Sequence, residues 1–343
     1  MKKYWIGLFV FMLLAGCTRK APAPNEEKIY GIADYYPFRE NTLYIYGGEG
    51  NEFAEKQVFF DYIQGNRAQL RVMNPGTVLA QIIEIEDGQL RRSISHEEQY
   101  HYENRLDREE EMTDILLMEP LQEGTAWTLV DGMERSITGV NVEIETPMGN
   151  YRALEVTTIM GEDAQQLDYY VVNVGHVKSI YKSGEYEILT VIEGIIQDQP
   201  LEQEMTFFYP PVDQEGNIYV ERTILIETNE DILQVLEEQM KNPPAQDIRS
   251  SLSQNTKIIK ITREEEKDLV LVDFNRALLE DMNVGSYGEE QVLQSIVNTF
   301  GTNYNVNNVY ISVEGKPYQS GHFELREGEY FTVRMDNSKK YGA

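Results

Sequence analysis

The side chains able to do chemistry are few, and their spacing argues against most reactions. Four histidines, His96, His101, His176 and His322, are the only imidazoles in 343 residues. His96 and His101 stand five apart, about 140° apart on a helix and on opposite faces of a strand. They form no chelating pair and lack the spacing of a zinc protease, so they read as surface histidines. His322, after Gly321, reads as a structural donor to a backbone carbonyl beside the last strand. Acidic runs such as Glu109-Glu110-Glu111 are adjacent and mutually repelling, a solvated face rather than the facing carboxylates of a glycosidase. Asp213-Gln214-Glu215-Gly216-Asn217 offers oxygen ligands without the twelve-residue calcium pattern. There is no Gly-x-Ser-x-Gly elbow and no glycine-rich phosphate loop. The expectation is a chain without catalytic residues, metal or cofactor.

One residue does stand where a reaction is expected. Cys17 is the only cysteine, so after processing there is no disulfide framework and no thiol nucleophile. Lys2 and Lys3 precede an apolar stretch, Tyr4 to Leu14, that is too short to span a bilayer core, which needs roughly 20 apolar residues. With small residues following, this is the anatomy of a secretory signal peptide. The run Leu14-Ala15-Gly16-Cys17 resembles the lipobox of bacterial lipoproteins. That resemblance implies that residues 1–17 are a signal peptide with its lipobox, cleaved before Cys17, which becomes the mature N-terminus and is acylated on its thiol and amine. Several acyl chains would hold the protein stably on the extracytoplasmic face of the cell membrane. Residues 18–29 are charged and proline-bearing and read as an extended tether.

Acidic residues outnumber basic ones 58 to 30, a formal charge of −28. Such a field excludes nucleic-acid binding by phosphate neutralisation and keeps the body off an acidic bilayer. The length suggests two domains, and 22 tyrosines with 12 phenylalanines favour strands. Residues 30–196 alternate apolar and polar side chains between glycine and proline turns, among them Asp87-Gly88, a strong hairpin dipeptide. They predict an antiparallel sheet or partly closed barrel, with residues 97–112 a solvated loop or short helix. Trp127 and the pairs Tyr35-Tyr36 and Tyr169-Tyr170 either pack its core or line a groove for sugars or an apolar ligand. Residues 197–204 read as a linker.

From 205 to 335 the pattern becomes mixed, with 336–343 a tail. Thr228-Asn229-Glu230-Asp231 predicts a helix start, followed by Ile232, Val235, Leu236 and Met240 at helical spacing. Ser286 with Glu289 predicts a second capping box before an apolar face of Val292, Leu293, Ile296, Val297 and Phe300. The order β-β-α-β-β-α-β-β implies helices on one face of a small sheet, so the whole chain is α+β: an antiparallel β-rich domain, then a small α+β domain.

This second half resembles the GerMN domain of sporulation and germination proteins. The resemblance rests on Met205-Thr206-Phe207-Phe208-Tyr209, the helix ending at Asn242-Pro243-Pro244, Leu271-Val272-Asp273-Phe274-Asn275, Ser295-Ile296-Val297-Asn298-Thr299, Val309-Tyr310-Ile311-Ser312-Val313 and Gly321-His322. Ala245–Asn255 departs from it, lacking the family's glycine-rich or proline-rich piece. The resemblance implies a non-enzymatic lipoprotein of endospore-forming bacteria that associates with other envelope proteins or with itself, like the ring-building modules of secretion-type complexes. In the first domain, Glu119–Trp127 resembles a phrase common in β-rich bacterial lipoproteins. A second expectation, from the aromatic content and location, is a carrier or wall-binding domain that holds a lipid tail or peptidoglycan.

Overall fold

The computed structural model describes residues 29–93, 98–108, 111–212, 215–326 and 328–342. Cys17, His96, the Glu109-Glu110 pair and Asp213-Gln214 therefore lie outside the described residues. After a one-turn helix α1 (Ile32–Tyr35), the chain lays down β1 (Leu43–Glu49), β2 (Lys56–Gln64), β3 (Arg67–Met73), β4 (Val78–Glu86), β5 (Gln89–Arg92), β6 (Asp114–Met118), β7 (Ala126–Thr128), β8 (Glu134–Thr146), β9 (Gly149–Ile159), β10 (Ala164–Val171), β11 (Gly175–Ser183) and β12 (Tyr186–Ile196). These make one sheet in the order β6-β5-β4-β3-β2-β1-β12-β11-β10-β9-β8-β7. Most strands pair with their sequence neighbours, and the pairing of β1 with β12 brings the two edges, β6 and β7, round to face each other. Side chains close that seam. Trp127 Nε1 donates to the Ile115 carbonyl at 2.9 Å, and Arg135 Nη1 donates to the same carbonyl and to Asp114, both at 2.7 Å. The expected partly closed barrel is a nearly closed twelve-stranded one. Its β4–β5 hairpin turns on Asp87 and Gly88, with φ of 50° and 69°, the double positive φ of a type I′ turn.

Inward-facing Tyr44, Tyr46, Phe60, Leu70, Ile83, Leu154 and Tyr170 fill the barrel. The segment after α1 adds Tyr36 and Phe38 at one end, with rings 6.4 Å from Tyr170 and 5.6 Å from Phe60. Trp127, Tyr35, Tyr169 and Tyr170 are all buried, so they are core and line no groove. A cavity of about 20 Å³ beside Tyr44 and His176 has room for roughly one water.

Residues 98–108 are a loop, not a helix, and only in part solvated: Glu98, Tyr100, Asn104 and Asp107 are exposed. Gln99, His101, Tyr102, Arg105 and Leu106 are buried against the outer face of β2 and β3. That face carries Asp61, Gln69 and Arg71, and polar groups under cover need partners, which this strap supplies. His101 is consequently an interior residue.

The second domain begins at β13 (Leu201–Tyr209) and pairs with β14 (Asn217–Ile226) from Leu201 opposite Ile226 onward. Leu201 is buried while Glu202 and Glu204 face outward, so the second half of the segment read as linker is strand. Then come α2 (Ile232–Lys241), β15 (Ile258–Glu264), β16 (Leu269–Phe274), α3 (Ala277–Glu280), α4 (Ser286–Tyr304), β17 (Asn308–Val313), β18 (Lys316–Pro317), β19 (Phe331–Thr332) and β20 (Ser338–Lys340). There are two sheets here rather than one, β13-β14-β20 and β15-β16-β17-β18 with β19 on β17.

Helix α4 explains the split. Thr299 Oγ1 accepts the Phe208 N–H at 3.0 Å, and the Asn303 amide accepts from Thr206 N at 3.0 Å and donates to its carbonyl at 2.7 Å. The helix thus satisfies the free edge of β13 that another strand would otherwise take. Asn298 does the same for Arg334, accepting its N–H at 2.9 Å and donating to its carbonyl at 2.8 Å. Gly301 permits the close approach on this side, since a Cβ there would stand 2.1 Å from Val333 Cγ2. Thr299→Val keeps the shape and leaves a buried N–H unpaired, so urea unfolding should show a loss of about 1–3 kcal/mol. A loss below about 0.5 kcal/mol would contradict this role for the hydroxyl.

Two capping expectations resolve differently. Asp231 caps α2, accepting from Leu233 N at 3.1 Å. Thr228 instead clasps the barrel, accepting from Asn41 N at 2.9 Å and donating to the Phe60 carbonyl at 2.8 Å. At α4 the cap is Gly285. The Glu289 carboxylate accepts from Tyr318 Oη and meets His322 Nδ1, each at 2.7 Å. His322 therefore pairs with a carboxylate, not a backbone carbonyl. Ala245–Asn255 is partly core, with Ile248, Ser251 and Leu252 buried. Phe59 and Tyr102 from the barrel side join the second domain's core of Phe207, Leu236, Phe274 and Phe300. The two domains thus share one apolar interior at their junction.

Candidate functional site

Two places combine polar groups with access from solvent. The first is the junction. Its buried base is an ion pair, Arg71 with Asp61 at 3.0 Å, both side chains almost wholly enclosed. Arg71 also donates to the carbonyls of Gln99 at 2.8 Å and His101 at 3.2 Å and lies 4.0 Å from the Tyr102 ring. Burial pushes the Asp61 carboxyl upward, more than Arg71 and Gln69 pull it back. Burial likewise pushes the His101 imidazole down, with Glu103 opposing and Arg263 and Arg71 adding to the fall. Above this base opens a groove of about 780 Å³, walled by Tyr62, Tyr102, Asp107 and Arg108 from the first domain and by Glu230, Asp231, Ile259, Lys260 and Thr262 from the second. One wall is β15, the edge strand of its sheet. Ile259 is 49% exposed there, at a register shift between Ile258 and Lys260. An edge strand presents a row of backbone donors and acceptors to whatever approaches.

The second place is inside one end of the barrel. In an antiparallel meander the starts of even strands and the ends of odd strands coincide. Lys56 opens β2, Arg92 ends β5, Asp114 opens β6 and Arg135 lies near the start of β8. Cross-strand partners share a face, and these four stand opposite Tyr46, Ile83, Arg92 and Trp127 respectively. Asp114 is saturated: Arg92 Nη2 lies 2.6 Å from one oxygen and Arg135 Nη1 2.7 Å from the other. Deeper in, Asp168 meets His176 Nε2 at 2.9 Å and accepts from Gln166 at 2.9 Å. Burial pushes the Asp168 carboxyl up, but His176, Gln166 and Ser179 outweigh it and hold it at about 2. Lys56 lies 5.2 Å from the centre of the Tyr46 ring; burial and the nearby Arg92 push its amine down to about 8, against the pull of Asp168.

Of the residues singled out from sequence, His101 and His176 enter these two clusters, His322 pairs with Glu289, and Trp127 serves the seam. None of them converges on a shared site. Among the described residues no group of three or more histidine, cysteine, aspartate or glutamate side chains is placed to hold a metal ion. No described helix is long and apolar enough to cross a membrane. Lys56, Arg92, Asp114, Arg135 and Asp168 were not anticipated. The signal was present as charged residues standing two places from inward apolar ones, Lys56 before Val58 and Arg92 after Leu90.

Residues 206–319 match the model of the Germane family, whose description is sporulation and spore germination. Among solved structures the chain is similar to the tandem GerMN domains of the sporulation protein GerM from Bacillus subtilis. That likeness has 23% identity, covers 40% of this chain and 46% of that one, and has a TM-score of 0.31. The first GerMN domain of the same protein matches at 14% identity over 39% of this chain and 94% of that one, TM-score 0.26. A protein from Bacteroides fragilis described as exported and YmcC-like in fold matches at 12% identity over 48% of this chain and 99% of that one, TM-score 0.30. This chain thus spans under half of the tandem GerMN structure. No curated protein matches it.

Proposed function

We infer, with a Germane domain at residues 206–319 as the premise, that this protein is a non-enzymatic interaction or assembly module of the cell envelope, linked to sporulation or germination. In this reading Cys17 carries the lipid, residues 18–29 tether the body to the extracytoplasmic face of the membrane, and the junction groove receives a protein partner. The observation that carries it is the Germane match; the open edge of β15 supports it by offering main-chain pairing for an extended segment. Lys260 and the irregular register beside Ile259 limit the length of edge open to such pairing. The filled barrel suits a spacer or second docking surface. It leaves little room for the alternative, a lipid carrier, and the buried Trp127 and Tyr169 offer no platform for peptidoglycan.

The test is in vivo crosslinking followed by mass spectrometry, before and during spore formation, with fatty-acid labelling alongside. Specific envelope proteins should be recovered, and label should appear on the wild type and vanish in Cys17→Ala. Recovery of no protein partner at either stage would overturn the interaction reading, and unlabelled wild type would overturn the anchor.

A further inference from the structure

The charged end of the barrel is not electrically balanced by its own side chains. His176 aside, it holds three cations, Lys56, Arg92 and Arg135, against two carboxylates, Asp114 and Asp168. Both carboxylates are already engaged on both oxygens, Asp114 by the two arginines and Asp168 by His176 and Gln166. Lys56 is left over. Its ammonium lies above the Tyr46 ring, an interaction of the kind that holds a cation without neutralising it, and among the described residues no carboxylate is within ion-pair distance of it. Arg92 is incompletely used as well: its Nε is buried with no hydrogen-bond partner, although 31% of the side chain is exposed. A buried donor left unpaired costs free energy that a bound acceptor would recover.

We propose that this end of the barrel binds a small oxyanion, a phosphate or a carboxylate group, between the Lys56 ammonium and the Arg92 guanidinium. The ligand would supply the acceptor that Arg92 Nε lacks and the counter-charge that Lys56 lacks. Arg135 would stay on Asp114 and Ile115, holding the seam while the other two cations bind. Selectivity for a small anion follows from the setting: a chain at a formal −28 repels polyanions most strongly, and the 31% exposed Arg92 side chain is the part of the cluster that solvent reaches. The depressed amine is consistent with this, because an arriving anion would raise it again.

The experiment uses the full-length protein in detergent. Its melting temperature is followed against inorganic phosphate and, in a separate arm, acetate, each at matched ionic strength with chloride. In parallel, acylation of Lys56 at pH 8 is read by peptide mass spectrometry. One of the two anions should raise the melting temperature saturably and slow acylation of Lys56 while leaving that of Lys182, which pairs with Glu187 at 3.1 Å on the surface, unchanged. Phosphate acting more strongly would identify a phosphate ligand, and acetate a carboxylate. Lys56→Met should lower the apparent affinity about tenfold or more, with Lys182→Met as the unaffected control. The acylation protection needs no variant, so it stands even if Lys56→Met fails to fold. No saturable effect of either anion beyond chloride, equal protection of Lys56 and Lys182, or full affinity in a folded Lys56→Met would overturn the proposal.

Discussion

Replacing Arg71 with alanine is expected to destabilise the protein by about 3–5 kcal/mol, the range for breaking a buried ion pair by removing one partner. The guanidinium is 2% exposed and reaches Asp61, the Gln99 carbonyl and the His101 carbonyl together. Without it the enclosed Asp61 carboxylate keeps only the Gln69 amide at 3.3 Å, and two strap carbonyls lose their donor. The strap itself should loosen, because residues 98–108 have no strand ladder of their own. Urea unfolding would give the energy, and limited proteolysis within 98–108 would report the strap. The double variant Arg71→Met with Asp61→Leu should recover a good part of the loss, since apolar replacement of a whole buried pair is often neutral. A single-variant loss below about 1 kcal/mol would place this pair with ordinary surface salt bridges and sink the account of the junction.

Arg135→Met is expected to cost about 2–4 kcal/mol and to open the barrel along one line. The side chain, 9% exposed, donates to Asp114, the Ile115 carbonyl and Thr158 Oγ1, the last at 2.7 Å. It ties β6 to β8 and β9 where no backbone ladder joins β6 to β7. The cost stays below that of Arg71 because Asp114 keeps Arg92, so no carboxylate is left wholly unpaired. Hydrogen exchange should rise in Asp114–Met118 and Ala126–Thr128 and stay unchanged in β1 and β12, whose pairing carries the far side. Uniform acceleration across all twelve strands would mean that the seam is not a separate element.

Much of the architecture was legible because it depends on local pattern. The apolar–polar alternation through residues 30–196, the Asp87-Gly88 turn and the stripe on α4 each report the structure of their own few residues, although in β8 a register shift between Gly139 and Val142 leaves Val140 exposed. What escaped needs a partner far away in the chain. Ring closure depends on Leu43 meeting Ile196, and nothing in either strand announces the other. Residues 98–108 looked solvated because they are polar, yet their partners Asp61, Gln69 and Arg71 lie some thirty residues earlier on an outward strand face. Thr228 satisfies the rule for a helix start, but Asn41 and Phe60 compete for its hydroxyl and win, leaving the cap to Asp231. Glu289 is drawn from its capping box by Tyr318 and His322 in the same way. The family resemblance was carried by residues such as Asn298 and Thr299, whose role proves to be completing strand edges; the residues of the groove and of the barrel's charged end carried no motif.

The most direct measurement places a photocrosslinking side chain at Ile259, on the edge of β15, and in a second strain at Met160, which is 41% exposed in the turn between β9 and β10. Both are expressed as the full-length chain and irradiated before and during spore formation. A discrete adduct with another envelope protein is expected from Ile259 and none from Met160. Matching adducts from both positions, or none from Ile259 at any stage, would contradict the interaction reading.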